Sequence, residues 1–196
     1  MFNGIISNKG KIFKIINNNN KNIILFIKTS MTFKKNEIGS SIACSGACLT
    51  LESYKKDIAR FFLSKETLGK TNFKYIKKND AINLEKSLTY GQRISGHFVQ
   101  GHVDTTSSIK NVKLVGKSWE IYFSLPKKFN KFIVNKGSVA INGVSLTAAK
   151  VTTDSFMISV IPKTLKLTNL INLKKNDVVN VEFDVLGKYI KKILKN

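Results

Sequence analysis

The chain is written twice. Sliding the 196-residue sequence along itself by 97 positions, without a gap, sets SIACSGACLT (41–50) over SVAINGVSLT (138–147). The same slide sets TLGKTNFKYIKKNDAINLE (67–85) over TLKLTNLINLKKNDVVNVE (164–182), where ten of nineteen positions are identical. Gly4 falls on Gly101 and Asp57 on Asp154. A register kept over blocks so far apart excludes a shared compositional bias, and an internal repeat of this length means two copies of one folding unit. The expectation is two tandem domains that meet near Gly96 and His97, each close to the size at which a chain closes one core.

Each copy reads as β structure. Short alternating or apolar runs, Ile23 to Lys28, Glu120 to Leu125, Phe156 to Ile161 and Val178 to Phe183, are separated by Gly, Asn and Asp. Ser45-Gly46 and Asn142-Gly143 are hairpin turn signals, because glycine takes the positive φ such turns require. Many short strands in fewer than 100 residues favour a small closed barrel, which leaves no exposed edge. Ser64 to Thr71 does not alternate and reads either as a short helix or as a loop. The tail differs: Leu186, Tyr189, Ile190, Ile193 and Leu194 recur at helical spacing with lysines between them, whereas TYGQRISGH (89–97) reads as a linker. That single helix either meets another subunit or packs on its own barrel.

The formal charge of +21 invites a nucleic-acid reading, but its distribution argues against one. Residues 1 to 97 carry 17 Lys and Arg against 6 acidic residues, and residues 98 to 196 carry 16 against 6, so no basic tail or stripe stands out. Arginine, which makes the bidentate contacts nucleic-acid readers rely on, occurs only as Arg60 and Arg93. The opening residues lack a basic start followed by a long apolar stretch, so neither export nor a membrane span is expected. A chain that stays inside keeps its thiols reduced, so Cys44 and Cys48 are expected to be free.

Cys44, Cys48, His97 and His102 make a formal zinc set, but 48 residues separate the pairs and neither Cys nor His recurs at the duplicated positions, so no metal is expected. The repeat is more informative. Cys44 lies over Ile141 and so reads as core, whereas Cys48 lies over Ser145, and both stand in the frame x-Leu-Thr beside Thr50 and Thr147.

MFNGII, GSSIACSGACLT, FLSKETLGKTNF, GHFVQGHVD, KGSVAINGVSLT, IPKTLKLTN and VNVEFD, in this order over nearly the whole chain, resemble the alpha-chain riboflavin synthase family. The resemblance implies an all-β chain of two tandem homologous Greek-key barrels, 1–97 and 98–185, with a short C-terminal helix at 186–196 as a trimer contact. It implies a cytoplasmic homotrimer without cofactor, metal, nucleic acid or membrane, in possible association with lumazine synthase. The reaction would be the dismutation of two 6,7-dimethyl-8-ribityllumazine molecules to riboflavin and 5-amino-6-(ribitylamino)uracil, at sites formed between subunits. The alternative on the same fold is a non-catalytic lumazine- or flavin-binding antenna protein.

Carried over onto this chain, the resemblance sets one ring against Gly4, Ile5, Ile6, Ser41, Cys48, Leu49, Thr50, Phe62, Leu63, Ser64, Lys65, Glu66 and Thr67. A second lies against Gly101, His102, Val103, Lys136, Ser145, Leu146, Thr147, Ile161, Pro162, Lys163, Thr164, Leu165 and Lys166. His102 is the implied proton-transfer group, and Cys48, Ser145 and Asp184 polarise the ring or add at its C7. Phe2 would stack near the reacting carbons, and His97, at the junction, reads as structural or catalytic. Ser45 stands where the family commonly has asparagine.

Overall fold

A computed structural model describes residues 1–18 and 22–194; Lys195 and Asn196, expected at the end of the tail helix, lie outside the described residues. The first copy forms β1 (Asn8–Asn18), β2 (Asn22–Thr29), β3 (Ser41–Cys44), β4 (Ala47–Lys55), β5 (Ile58–Leu63), α1 (Lys65–Lys70) and β6 (Ala81–Lys86). The second forms β7 (Thr105–Val115), β8 (Ser118–Ser124), β9 (Ser138–Ile141), β10 (Val144–Val151), β11 (Ser155–Val160), α2 (Pro162–Leu167) and β12 (Val178–Phe183), followed by α3 (Val185–Ile193).

Each copy closes into a six-stranded antiparallel barrel, in the order β1-β2-β5-β4-β3-β6 and its equivalent in the second copy. β6 returns beside β3 after the β3-β4-β5 meander, which is the Greek-key arrangement. Alternation drives the closure. In β2, Ile23, Leu25 and Ile27 point inward and are buried with Leu51, Phe61 and Leu63, and the second core gathers Phe123, Phe156, Val179 and Phe183. Even the β-bulges are duplicated: the register slips between Ile12 and Lys14 and between Leu51 and Ser53, and again between Ile109 and Asn111 and between Ala148 and Lys150.

The stretch left open as helix or loop is helical in both copies. Ser64 caps α1 by accepting from the Thr67 N–H, and α2 starts on Pro162, whose missing N–H costs nothing in a first turn. Among the described residues no helix is long and apolar enough to cross a membrane.

The barrels meet at the tips of their β3–β4 and β9–β10 hairpins. Both turns have two residues at positive φ, Ser45 (41°) with Gly46 (82°) and Asn142 (46°) with Gly143 (78°), as a tight type I′ turn demands. A Cβ on Gly46 would stand 2.6 Å from the Gly143 nitrogen, so only glycine lets the tips touch.

Around the tips lies a buried amide network that obeys an approximate two-fold axis. Asn83 donates to the Asn142 carbonyl (2.9 Å) as Asn180 donates to the Ser45 carbonyl (2.8 Å). The Asn169 N–H donates to Asn83 Oδ1 (2.6 Å) as the Asn72 N–H donates to Asn180 Oδ1 (2.7 Å). The symmetry fails at one place. Asn169 Oδ1 accepts from the side-chain amides of Asn83 (2.9 Å) and Asn142 (3.4 Å), but Ser45, the counterpart of Asn142, has no amide to offer, and Asn72 Oδ1 is buried without a partner among the described residues.

Ser45→Asn should therefore stabilise the protein. Asparagine tolerates the positive φ of this turn, and it would satisfy an orphan acceptor worth about 1 kcal/mol. Urea unfolding checks this: the midpoint should rise with an unchanged slope, and an unchanged or lower midpoint would refute the account of Asn72.

Candidate functional site

Neither barrel mouth is built from its own copy alone. The segment before β1 and the segment before β7 run side by side at the approximate two-fold axis, where the Phe2 N–H donates to the Val99 carbonyl (2.7 Å) and the Val99 N–H to that of Phe2 (3.2 Å). Each then crosses to the other barrel. The Gly4 carbonyl accepts from the Ser145 N–H on β10, and the Gly101 carbonyl from the Cys48 N–H on β4, both at 2.8 Å. Ile6 is buried in the core of the second barrel, and Val103 packs on the core of the first. The glycines are required: a Cβ on Gly4 or Gly101 would stand 2.6 Å from the Cβ of Ser145 or Cys48, and both have φ above 70°.

This exchange corrects the grouping expected from the sequence. Gly4, Ile5 and Ile6 belong with Ser145, Leu146 and Thr147, whereas Gly101, His102 and Val103 belong with Cys48, Leu49 and Thr50. The slide along the sequence reveals equivalent residues but not which copy a connecting segment crosses to.

The remaining expected residues fall around these two mouths in a pattern set by strand alternation. Ser41 pairs with Thr50 across β3 and β4. Leu49, Leu63 and Leu165 are buried in the cores, so any contact they make with a ligand is through the backbone. Phe62 is exposed near the end of β5, close to Ser64, Lys65, Glu66 and Thr67 at the start of α1; Ile161 is exposed at the start of α2, beside Pro162, Lys163, Thr164 and Lys166. Lys136 is exposed before β9.

Phe2 also needs correction. It is fully buried with Ala43, Val99 and Ala140, against Cys48, so its ring is a wedge between the barrels rather than a stacking surface at a mouth. Cys44 is a fully buried core residue, and burial pushes its thiol far above the usual range.

The reactive side chains of the two mouths differ in their surroundings. Ser145 Oγ lies 2.7 Å from His97 Nδ1. His97 is buried, its Nε2 has no partner among the described residues, and burial lowers its pKa below the usual 6.5, with the charge of Asp184 opposing. The imidazole is thus held neutral at physiological pH, the state in which one ring nitrogen can accept a proton. Asp184 caps α3 by accepting from the Leu186 N–H (3.0 Å). The Cys48 thiol makes no comparable hydrogen bond among the described residues. His102 is exposed beside Gly101. Sequence reasoning left His97 undecided because its partner stands 48 residues away in the other copy.

Two buried carboxylates fix the crossing segments. Glu85 accepts from the Asn3 and Gly4 N–H groups (2.8 and 3.1 Å), and Glu182 accepts from those of Gln100 and Gly101 (2.7 and 2.9 Å). Burial raises both to about 7, against the lowering by these N–H groups. Among the described residues no three His, Cys, Asp or Glu gather as a metal site.

The lumazine binding domain family matches twice, at residues 3–87 and 100–184. Riboflavin synthase from Actinobacillus pleuropneumoniae is 34% identical over 194 residues, covering 99% of this chain and 90% of that one. The enzyme of that name from Brucella abortus is 37% identical over 194 residues and 96% of each chain. The crystal structure of LumP complexed with riboflavin superposes with a TM-score of 0.82 at 26% identity, over 93% of this chain and 99% of that one.

The buried carboxylates predict a pH dependence. An acid whose folded-state pKa is about 7 rather than 4.5 takes up a proton on folding between those values. Its stabilising contribution is complete below pH 4.5 and is lost as the pH rises through 7. Two side-chain carboxyl resonances should accordingly titrate near pH 7 in carbon NMR and disappear in Glu85→Gln and Glu182→Gln respectively.

Proposed function

The chain belongs to the riboflavin synthase family, and from that premise we propose that its two barrel mouths are matched lumazine seats whose reactive groups have diverged. Its reaction is a transfer between two identical 6,7-dimethyl-8-ribityllumazine molecules: one gives up a four-carbon unit and leaves as 5-amino-6-(ribitylamino)uracil, and the other becomes riboflavin. The atoms balance without water, oxidant or reductant. The observation that carries this reading is that both copies keep a complete mouth, Cys48 to Thr50 with the Gly101 carbonyl and Ser145 to Thr147 with that of Gly4. A reaction between two copies of one molecule needs two such seats.

Their difference supplies the roles. Neutral His97 can take the proton of Ser145 Oγ, which then adds at the electron-poor C7 of one lumazine or orients a water toward it. The exposed imidazole of His102 serves the other seat as the base for the C7 methyl proton, whose removal the ring eases by delocalising the charge. Most of the acceleration comes from holding two rings in register, worth about 7 to 11 kcal/mol in the best cases.

Phe2 and Val99 fill the space between the mouths of one chain, so facing seats are supplied by different subunits. α3 offers the contact. Its Lys188 binds Asp104 of its own barrel at 2.7 Å, while Leu186, Tyr189, Ile190, Ile193 and Leu194 are each more than half exposed. One face of α3 thus rests on its own barrel, and on this proposal the other meets a neighbouring subunit. A cytoplasmic homotrimer and association with lumazine synthase go with the same proposal.

The second reading is the antenna, favoured by the fold shared with LumP. Incubating the protein with 6,7-dimethyl-8-ribityllumazine alone separates the two: riboflavin should appear, and tight binding without riboflavin would establish the antenna instead. Ser145→Ala and His97→Gln should each lower kcat about a hundredfold, and Cys48→Ser should lower it more than Cys44→Ser. In sedimentation, Ile190→Asp combined with Ile193→Asp should turn the trimer into monomers that fold but do not turn over.

A further inference from the structure

Glu85 and Glu182 play no part in the chemistry above, yet they are only 5% and 3% exposed. Each places both carboxylate oxygens on two successive backbone N–H groups, an arrangement that fixes a peptide's orientation as well as its position. Hydrogen bonds to a charged acceptor are roughly twice as strong as neutral ones. Glu85 stands on β6 of the first barrel and holds Asn3 and Gly4. Gly4, held at φ 72°, turns its carbonyl onto Ser145 of the second barrel. Across the approximate two-fold axis, Glu182 stands on β12 of the second barrel and holds Gln100 and Gly101. Gly101, at φ 79°, turns its carbonyl onto Cys48 of the first.

We propose that Glu85 and Glu182 are positioning residues that act crosswise: the carboxylate of each barrel sets the seat of the reactive side chain in the other, Glu85 for Ser145 and Glu182 for Cys48. The proposal rests on the reading of the two mouths as lumazine seats. Its physical content is a short chain of contacts. A glutamine in place of either glutamate would turn an NH2 group toward one of two N–H donors, so one bond is lost and the segment is free to rotate. The glycine carbonyl then leaves the N–H of Cys48 or Ser145. The residue's own barrel is reached only indirectly, through the Phe2–Val99 pair, because the crossing segment spends its glycine carbonyl on the other.

Cys48 is a natural reporter, since Cys44 is fully buried and its thiol is held protonated. The full-length protein is treated with iodoacetamide at pH 8, with and without riboflavin, and labelling is read by peptide mass. Glu182→Gln should change the Cys48 rate and weaken its protection by riboflavin about tenfold, since small misplacements at such sites have effects of this order. Glu85→Gln, although it lies in the same barrel as Cys48, should change both far less, since it reaches Cys48 only through the Phe2–Val99 pair. Moving the thiol, by Cys48→Ser with Ser145→Cys, should reverse the pattern. If Glu182→Gln does not fold, Glu182→Asp keeps the charge but cannot reach both N–H groups, and should act in the same direction. An effect of Glu85→Gln alone, equal effects of both, or none would each overturn crosswise positioning. Failure of the wild type to form riboflavin would instead remove the enzymatic reading and leave the labelling pattern as it was.

Discussion

The structure turns on a main-chain exchange at its approximate two-fold axis. The reciprocal pair between Phe2 and Val99 is the only strand-like bridge outside the named strands among the described residues, but it fixes the course of both crossing segments. These segments give each barrel a residue of its mouth and a residue that packs on its core. Burial makes the exchange stable: Phe2 and Val99 are fully buried, and the N–H groups that would be stranded there are taken up by Glu85 and Glu182. A buried backbone donor without a partner costs on the order of 1–3 kcal/mol, so the two carboxylates are part of the fold before they are part of any site.

Symmetry in this protein is carried by backbone and amide geometry, and asymmetry by a few side chains. The bulges, the hairpin turns, the carboxylate clamps and the asparagine network all recur with a shift of 97 residues. Departures are local and each has a physical consequence. Serine instead of asparagine at position 45 leaves an acceptor unpaired, and Ser145 instead of cysteine gains the imidazole of His97 at hydrogen-bond distance. A dismutation requires this combination: two seats alike enough to bind one molecule, and unlike enough that one ring gives carbon and the other receives it.

Most of the fold was legible in the sequence because its signals are local. Alternation, turn glycines and the repeat give strands, hairpins and two closed barrels, and the exchange of Cys44 for Ile141 marks one cysteine as core. The exchange of segments was not legible, because Gly4 and Gly101 are equivalent under the slide and either pairing satisfies it. The decision is made by sterics that no residue type announces: a glycine Cα pressed against Ser145 or Cys48. The His97–Ser145 contact was hidden for a related reason, since it joins a residue read as linker to a strand of the following barrel. Phe2 was misplaced because the resemblance carried over a stacking role without the packing around it, whereas its surroundings of Ala43, Ala140 and Val99 make it core.

The same wedge bears on why assembly should accompany activity. Phe2 and Val99 are buried between the two mouths of one chain, and on the proposed reading it is a neighbouring chain that supplies the facing seat. α3 is tied to this geometry by a short path: Lys188 binds Asp104, Asp104 also accepts from the Phe183 N–H, and the segment that ends at Asp104 carries the Gly101 carbonyl onto Cys48. A subunit contact made by the apolar face of α3 therefore pulls on the same segment that shapes the first barrel's seat. On the proposal of a trimer, association and seat geometry are one equilibrium, and a chain that separates from its neighbours loses both the facing seat and the restraint on its own.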